Sequence, residues 1–175
     1  MKRRRFLGNS LGFAVVLIAG SDHVLAASRQ LARRPDDNPL TDGRWRLDML
    51  GRLNAIRDEY KLVALRMDDR LNRAAQLHSD DMANRDYFDH QTPEGSRMTD
   101  RADAFGYHWR LLFENIAAGQ TSTAEAVEGW MNSAEHRAAI LDRAGRDAGM
   151  GHSYRAQDDG VIAMHHYWTL LIGTE

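Results

Sequence analysis

The amino-acid sequence predicts an α+β sandwich, because helical patterns come first along the chain and strand patterns come last. Up to about residue 141, apolar side chains recur every three or four residues, as they do on one face of a helix. After that point, GMGHSY and VIAMHHYWTLLIG are rich in β-forming residues and are bounded by glycines and Asp-Asp-Gly, which is typical of a hairpin. Helices followed by strands favour this class over a doubly wound parallel sheet.

Two longer helices are predicted in the first half of this region. The first, which Thr41 or Asp42 can cap, carries on one face Trp45, Met49, Leu53, Ile56 and Tyr60. The second begins at Asp68 or Asp69 and ends before YFDHQTPEG, which its proline and glycine mark as a loop.

Three shorter helices follow. MTDRADAFG reads as a helix stopped by its glycine. Ser122 opens the next helix through a capping box, because Glu125 stands three residues later. Ser133 can cap the last one, AEHRAAIL.

The first 27 residues are predicted to be a targeting segment. MKRRRFLGNS is basic, LGFAVVLIAG is a short apolar run, and VLAAS offers small residues for cleavage. RRRFL at positions 3–7 also fits the twin-arginine pattern, which favours export of a folded protein over an ordinary secretory signal. The apolar run is shorter than the ~20 residues that a helical span needs, so no stable membrane span is predicted in the mature chain. Residues 28–43 are a predicted linker, and residues 44–175 form a domain that is periplasmic or secreted.

Composition excludes several kinds of function. The 175 residues include no cysteine, so a disulfide framework, a thiolate metal site and a cysteine nucleophile are all excluded. The targeting segment carries four of the 23 basic and one of the 25 acidic side chains, which leaves a net charge of −5 on the rest of the chain. A body of that charge has no general attraction for nucleic acid, and no nucleic-acid binding is predicted.

Glu114 lies in the apolar run LLFENIAAGQ, where an unpaired carboxylate would cost on the order of several kcal/mol. His90, His136 and the pair His165-His166 are the other polar positions that call for an explanation. A carboxylate between two imidazoles can be held by charge-assisted hydrogen bonds, and the same trio can bind zinc. The separations along the chain are long, so the alternative stays open that each histidine is a half-buried packing residue. His78 shares a stripe with apolar residues and is predicted to be a core histidine rather than a ligand.

Several segments occur in an order that is similar to a known family. They are LNAIRDEY, LHSDDMANRDYFDH, TPEGSRMTDRADAFGY, ENIAAG, AVEGWMNSAEHRAAIL, AGMGHSY and YWTLLIG. From about residue 47 to 173 the chain resembles the bacterial, cysteine-free branch of the CAP superfamily. That superfamily is named after cysteine-rich secretory proteins, antigen 5 and pathogenesis-related 1 proteins, and its module is also called the SCP-like extracellular domain.

The resemblance implies a three-layer α-β-α sandwich with a mainly antiparallel sheet and a central cleft. Its cleft residues correspond here to His90, Glu114, Asn115, His136 and Tyr167. Some members of the family bind zinc or another divalent ion in the cleft, which makes His90, His136 and Glu114 the metal ligands implied here. Other members bind sterols or fatty acids in separate apolar grooves, and no single enzymatic activity is shared.

The sequence departs from the family pattern at several positions. Phe113 stands where the family has glycine, Ala139 where it has asparagine, and Leu170 where it has glutamine. Tyr167 stands near the position of the second cleft histidine of eukaryotic members. His166 is its neighbour and points to the opposite face of a regular strand. The cleft is therefore expected to lack one histidine.

Two functions follow from these observations. The first is an exported binding module that acts at the cell envelope or outside the cell on a lipid, a peptide or a cell-wall component, with the histidines and Glu114 as a structural polar network. The alternative is a metal-assisted hydrolase, in which His90 and His136 hold one zinc ion and Glu114 is a third ligand or the base that takes a proton from bound water.

Overall fold

The computed structural model of the protein describes Leu40 and residues 43–175. The predicted targeting segment (1–27) and nearly all of the predicted linker (28–43) lie outside the described residues. None of the helices in the described part is long and apolar enough to cross a membrane. In chain order the elements are α1 (Arg44–Glu59), β1 (Arg66–Met67), α2 (Asp69–Arg85), α3 (Met98–Ala104), β2 (Leu111–Ala118), α4 (Thr123–Asn132), α5 (Ala134–Ile140), β3 (Asp147–Tyr154) and β4 (His166–Thr174).

The four strands form one sheet in the order β1-β3-β4-β2. Strand β4 pairs antiparallel with both β3 and β2, and the two-residue strand β1 pairs parallel with β3. The predicted α+β class with a mainly antiparallel sheet is confirmed, although β1 makes the sheet mixed. Strand β2 lies at one edge, and this placement defines the site described below.

One layer of helices covers one face of the sheet. Trp45, Met49 and Leu53 of α1 pack with apolar residues of α4 and α5 against the side chains that β3 and β4 turn to this face. Because every second residue of a strand points to the same side, the sheet supplies Ala148, Met150, Trp168, Leu170 and Ile172 to this core.

The second layer, α2 and α3, covers the other face. Leu71, Ala74 and Ala75 of α2 pack with α3 and with alternate residues of β2 and β4. Further along α2, Met82 and Ala83 contact the next pair on this face, Ile116 and Tyr167. Apolar side chains from both helical layers thus bury the sheet on both faces, which is the predicted three-layer arrangement.

The helix starts follow the capping predictions in part. Asp68 caps α2, where its carboxylate accepts hydrogen bonds from the main-chain N–H groups of Arg70 and Leu71. Ser122 caps α4 in the same way. The N-cap of α1 is Gly43 rather than the predicted Thr41 or Asp42, which lie outside the described residues. Ser133 occupies the N-cap of α5, but its side chain makes no capping hydrogen bond.

The strands differ from the sequence prediction in two ways. LLFENIAA forms β2, a strand that the periodicity did not assign. The last strand begins at His166 and not at Val161, because Ala163 and His165 have left-handed φ angles of 46° and 61° that a strand cannot include.

Candidate functional site

A cleft of about 520 Å³ opens at the outer edge of β2. The loop between α2 and α3, the start of α3, and α5 form its other walls. Its lining includes four of the five predicted cleft residues, His90, Glu114, Asn115 and His136. Arg97, Met98, Phe113 and Ala139 also line the cleft, so two of the departures from the family pattern, Phe113 and Ala139, are wall residues.

Glu114 is held by two partners. Its side chain is 1% exposed, and Oε1 accepts a hydrogen bond from Nδ1 of His90 at 3.0 Å. Its other oxygen, Oε2, forms an ion pair with the Arg101 guanidinium at 2.6 Å. Both carboxylate oxygens are therefore engaged, which removes much of the cost of burying the charge.

Arg101 is the partner that sequence reasoning missed. It lies on α3 with its side chain 3% exposed, and it also donates to the main-chain carbonyls of Ser96 and His90, each at 3.3 Å. Arg101 thereby ties the loop that carries His90 to the carboxylate of β2. No signal in the sequence links it to Glu114, because the two residues belong to different elements and have no fixed spacing.

His78 adds a second layer of support beneath the carboxylate. It is fully buried on α2, as predicted for a core histidine, and its Nε2 lies 3.0 Å from the Asp89 carbonyl and 3.8 Å from Oε1 of Glu114. Burial lowers the pKa of His78, so the ring is neutral at pH 7 and donates to the carbonyl as an ordinary N–H.

The hydrogen bond from His90 and the charge of Arg101 favour the ionised form of the Glu114 carboxylate. Burial acts to raise the pKa of Glu114, but the hydrogen bond from His90 and the charge of Arg101 outweigh it and hold the pKa below its usual range. The same hydrogen bond is the main cause that raises the pKa of His90. Because Nδ1 of His90 is used in this bond, Nε2 is the ring nitrogen left to face the cleft.

His136 lies on the opposite wall, on α5. The amide of Asn115, and not Glu114, reaches this wall, since Nδ2 of Asn115 donates to the main-chain carbonyl of His136 at 3.0 Å. Among the described residues, no hydrogen bond or ion pair joins His136 to Glu114. Burial and the nearby His90 lower the pKa of the His136 ring.

Tyr167, the fifth predicted cleft residue, does not line this cleft. It is fully buried on the α2 face of the sheet, and its hydroxyl donates to Asp158 at 2.7 Å. His166 points to the other face, as expected from strand alternation, and lies 3.0 Å from His152 between their ring nitrogens. Tyr167 and His166 thus lie on opposite faces of the sheet at the start of β4, outside the cleft.

The bonds already made by the cleft residues limit which of them could hold the zinc ion implied by the family resemblance. Within the described residues, no group of three or more histidine, aspartate and glutamate side chains is arranged to hold a metal ion. Both oxygens of Glu114 are already bonded, and the guanidinium of Arg101 would repel a cation beside them. His90 and His136 are then the two cleft ligands left of the three that a catalytic zinc site normally needs, and a metal ion at this place stays a prediction.

Fold and cleft together define a class: a three-layer α+β domain whose cleft is built around a buried carboxylate paired with arginine and histidine. The family model of the CAP, or cysteine-rich secretory protein, family matches residues 50–172. The chain belongs to this family, and the resemblance read from the sequence segments is confirmed.

Two relatives match over most of the domain. The chain is 38% identical over 99 residues to the protein YkwD of Bacillus subtilis (strain 168), a match that covers 57% of this chain and 38% of YkwD. An extracellular protein containing a SCP domain from Bacillus anthracis str. Ames has a TM-score of 0.64 at 26% identity, covering 79% of this chain and 45% of that one. The chain thus spans less than half the length of either relative.

An outer surface protein from Borrelia burgdorferi has the same fold. Its TM-score is 0.65 at 18% identity, and the match covers 77% of this chain and 95% of that protein.

Proposed function

We propose that this CAP-domain protein is an exported binding module whose cleft at the β2 edge holds its ligand. The observation that carries the proposal is that both oxygens of Glu114 are bonded, to His90 and Arg101. The carboxylate therefore holds His90 in place at the wall of the cleft, and Arg101 balances its charge. The ligand would come from the classes expected for an envelope protein, which are a lipid, a peptide or a cell-wall component.

Export is supported by two independent observations. The targeting pattern of residues 1–27 includes a twin-arginine motif. The relatives with the same fold include a protein named as extracellular and one named as an outer surface protein. The mature domain would accordingly be periplasmic or secreted.

The metal-assisted hydrolase stays a prediction, with His90 and His136 as the residues that would hold one zinc ion. One observation favours it: the bond from Nδ1 of His90 to Glu114 orients the ring and leaves Nε2 toward the cleft. Zinc bound there would act as a Lewis acid and activate a water molecule. In this arrangement Glu114 would orient His90 and not bind the metal itself.

Binding and turnover can be measured on the same ¹⁵N-labelled mature protein. The probes are purified peptidoglycan fragments, vesicles of phosphatidylethanolamine and phosphatidylglycerol, and a degenerate tetrapeptide library, each with and without zinc chloride. We expect one probe class to shift the NMR signals of Phe113 and His136 saturably, while mass spectrometry detects no new product.

Two variants serve as test and control for this experiment. Phe113→Ser, on the cleft wall, should weaken the binding, and Leu77→Ser, on the exposed part of α2 outside the cleft, should leave it unchanged. If no probe class shifts the NMR signals of the cleft residues, the proposal of a binding module is wrong. A product that forms only with zinc and disappears in His90→Ala would establish the hydrolase instead.

A further inference from the structure

The main chain of β2 forms part of the cleft wall. Strand β2 is the edge strand of the sheet, and the Gly119 N–H donates to the His166 carbonyl of β4 at 2.9 Å. Because the N–H and C=O groups of successive residues point to opposite sides of a strand, the odd-numbered residues of β2 bond to β4. The main-chain groups of Leu112, Glu114 and Ile116 therefore point away from the sheet.

Part of this edge is covered and part is open. The Ile116 carbonyl accepts a hydrogen bond from Nε1 of Trp130 at 3.0 Å, which closes one end of the edge. No described residue hydrogen-bonds to the outward N–H or C=O of Leu112 or Glu114. The side chain of Glu114 is 1% exposed, whereas the whole residue is 9% exposed, so solvent reaches this residue through its main chain.

An open strand edge is a template for another strand, because its unpaired donors and acceptors match those of an extended peptide. The segment from Leu112 to Glu114, whose outward main-chain groups bond to no described residue, is three residues long, or roughly 10 Å at the usual rise per residue, and its Phe113 and Glu114 line the cleft. It would pair with a peptide of three or four residues. Phe113 and Met98 give the same cleft apolar walls on which peptide side chains can pack.

The charge of the cleft selects one end of such a peptide. Arg97 lines the cleft at the start of α3, and its exposed guanidinium forms no hydrogen bond or ion pair with any described residue. Arg101, in contrast, is buried and already pairs through its two terminal nitrogens with Glu114 and two main-chain carbonyls. The acidic wall residue, Glu135, lies near His136 on α5. Arg97 is thus the cation left to pair with an anionic group of the ligand.

We propose that the cleft binds an extended peptide that pairs with the outer edge of β2 and places a carboxylate against Arg97. This inference rests on the proposed function and specifies its ligand class. Main-chain hydrogen bonds would provide affinity for many sequences, and the carboxylate would fix the direction and register of the peptide.

The probes for this proposal are three versions of an N-acetylated degenerate tetrapeptide library: one with a free C-terminal carboxylate, one amidated at the C-terminus, and one with alternate main-chain nitrogens methylated. Binding to the ¹⁵N-labelled mature protein is followed by NMR shifts and by hydrogen exchange at the Leu112 and Glu114 amides. We expect the carboxylate library to slow exchange at these amides, and both modified libraries to bind about tenfold more weakly, as the loss of one or two hydrogen bonds would produce.

Two variants test the role of the charge, and hydrogen exchange tests the strand edge. Arg97→Gln should bring the affinity for the carboxylate library down to that for the amidated one, and Arg143→Gln, at an exposed arginine outside the cleft, should change neither. Shifts of His136 or Phe113 without slower exchange at Glu114 would overturn the strand pairing while leaving the cleft as a binding site. If only the lipid vesicles or the peptidoglycan fragments shift the cleft signals, the peptide proposal is wrong and the binding-module proposal stands. If no probe shifts them, both proposals are wrong.

Discussion

Replacing Arg101 by methionine is expected to lower the free energy of unfolding by about 3–5 kcal/mol, the usual cost of leaving a buried charge without its partner. Methionine keeps much of the length of the side chain but removes the guanidinium that pairs with Glu114 at 2.6 Å. Urea unfolding at pH 7, followed by tryptophan fluorescence, measures the effect.

A second variant separates loss of the charge pair from loss of packing. In Arg101→Met/Glu114→Gln no charge is left unpaired, and most of the lost stability should return. Arg85→Met is the matched control, because its ion pair with Glu94 is exposed, and its unfolding free energy should change far less. If Arg101→Met lowers the free energy of unfolding by less than about 1 kcal/mol, the ion pair with Arg101 is not what stabilises the buried charge of Glu114.

Gly149→Ala is the second substitution with a large expected effect. Gly149 lies on β3 where α2 crosses the sheet, and an added Cβ would lie 2.1 Å from the main-chain carbon of Leu71 and 2.4 Å from the nitrogen of Asn72. Both contacts are with helix backbone, so the helix itself would have to move. We expect a loss of about 3 kcal/mol or more in the same urea experiment, at the upper end of the usual cost of overpacking.

Gly51→Ala is the control for this substitution. Gly51 lies on the exposed side of α1, and nothing stands within 4 Å of an added Cβ. Alanine there should stabilise the protein by about 0.5–1 kcal/mol, because glycine is the poorer helix former. If Gly149→Ala were as stable as the natural protein, the close approach of α2 to β3 would be wrong.

The helices could be predicted from the sequence because their signals are local. The stripe from Trp45 to Leu53 and the caps at Asp68 and Ser122 follow from periodicity and from the side-chain chemistry of helix starts. Strand β2 could not be assigned in this way. Helices cover both of its faces, so LLFENIAA is apolar throughout most of its length and lacks the alternation of a half-buried strand.

The sequence predicted individual residues of the candidate site, but not the contacts between them. The need of Glu114 for a partner follows from its apolar surroundings, and the resemblance places His90 and His136 in the cleft. The pairing with Arg101 depends on how α3 docks beside β2, and arginine on a short helix is ordinarily solvent-exposed. The open edge of β2 depends on the order of the strands in the sheet, and the residue types of β2 do not predict that order.

The pKa of His90, measured by NMR titration of its ring with and without zinc chloride, tests most directly whether Glu114 is the ionised partner that shapes the cleft. We expect a pKa above the ordinary 6.5 that is unchanged by zinc, while His136 titrates below 6.5 in the same spectra. Glu114→Gln should bring the pKa of His90 down, because the hydrogen bond to a charged carboxylate is lost, and Glu135→Gln should leave it unchanged. A His90 pKa at or below 6.5, or one that zinc lowers as the metal displaces the ring proton, would contradict this assignment.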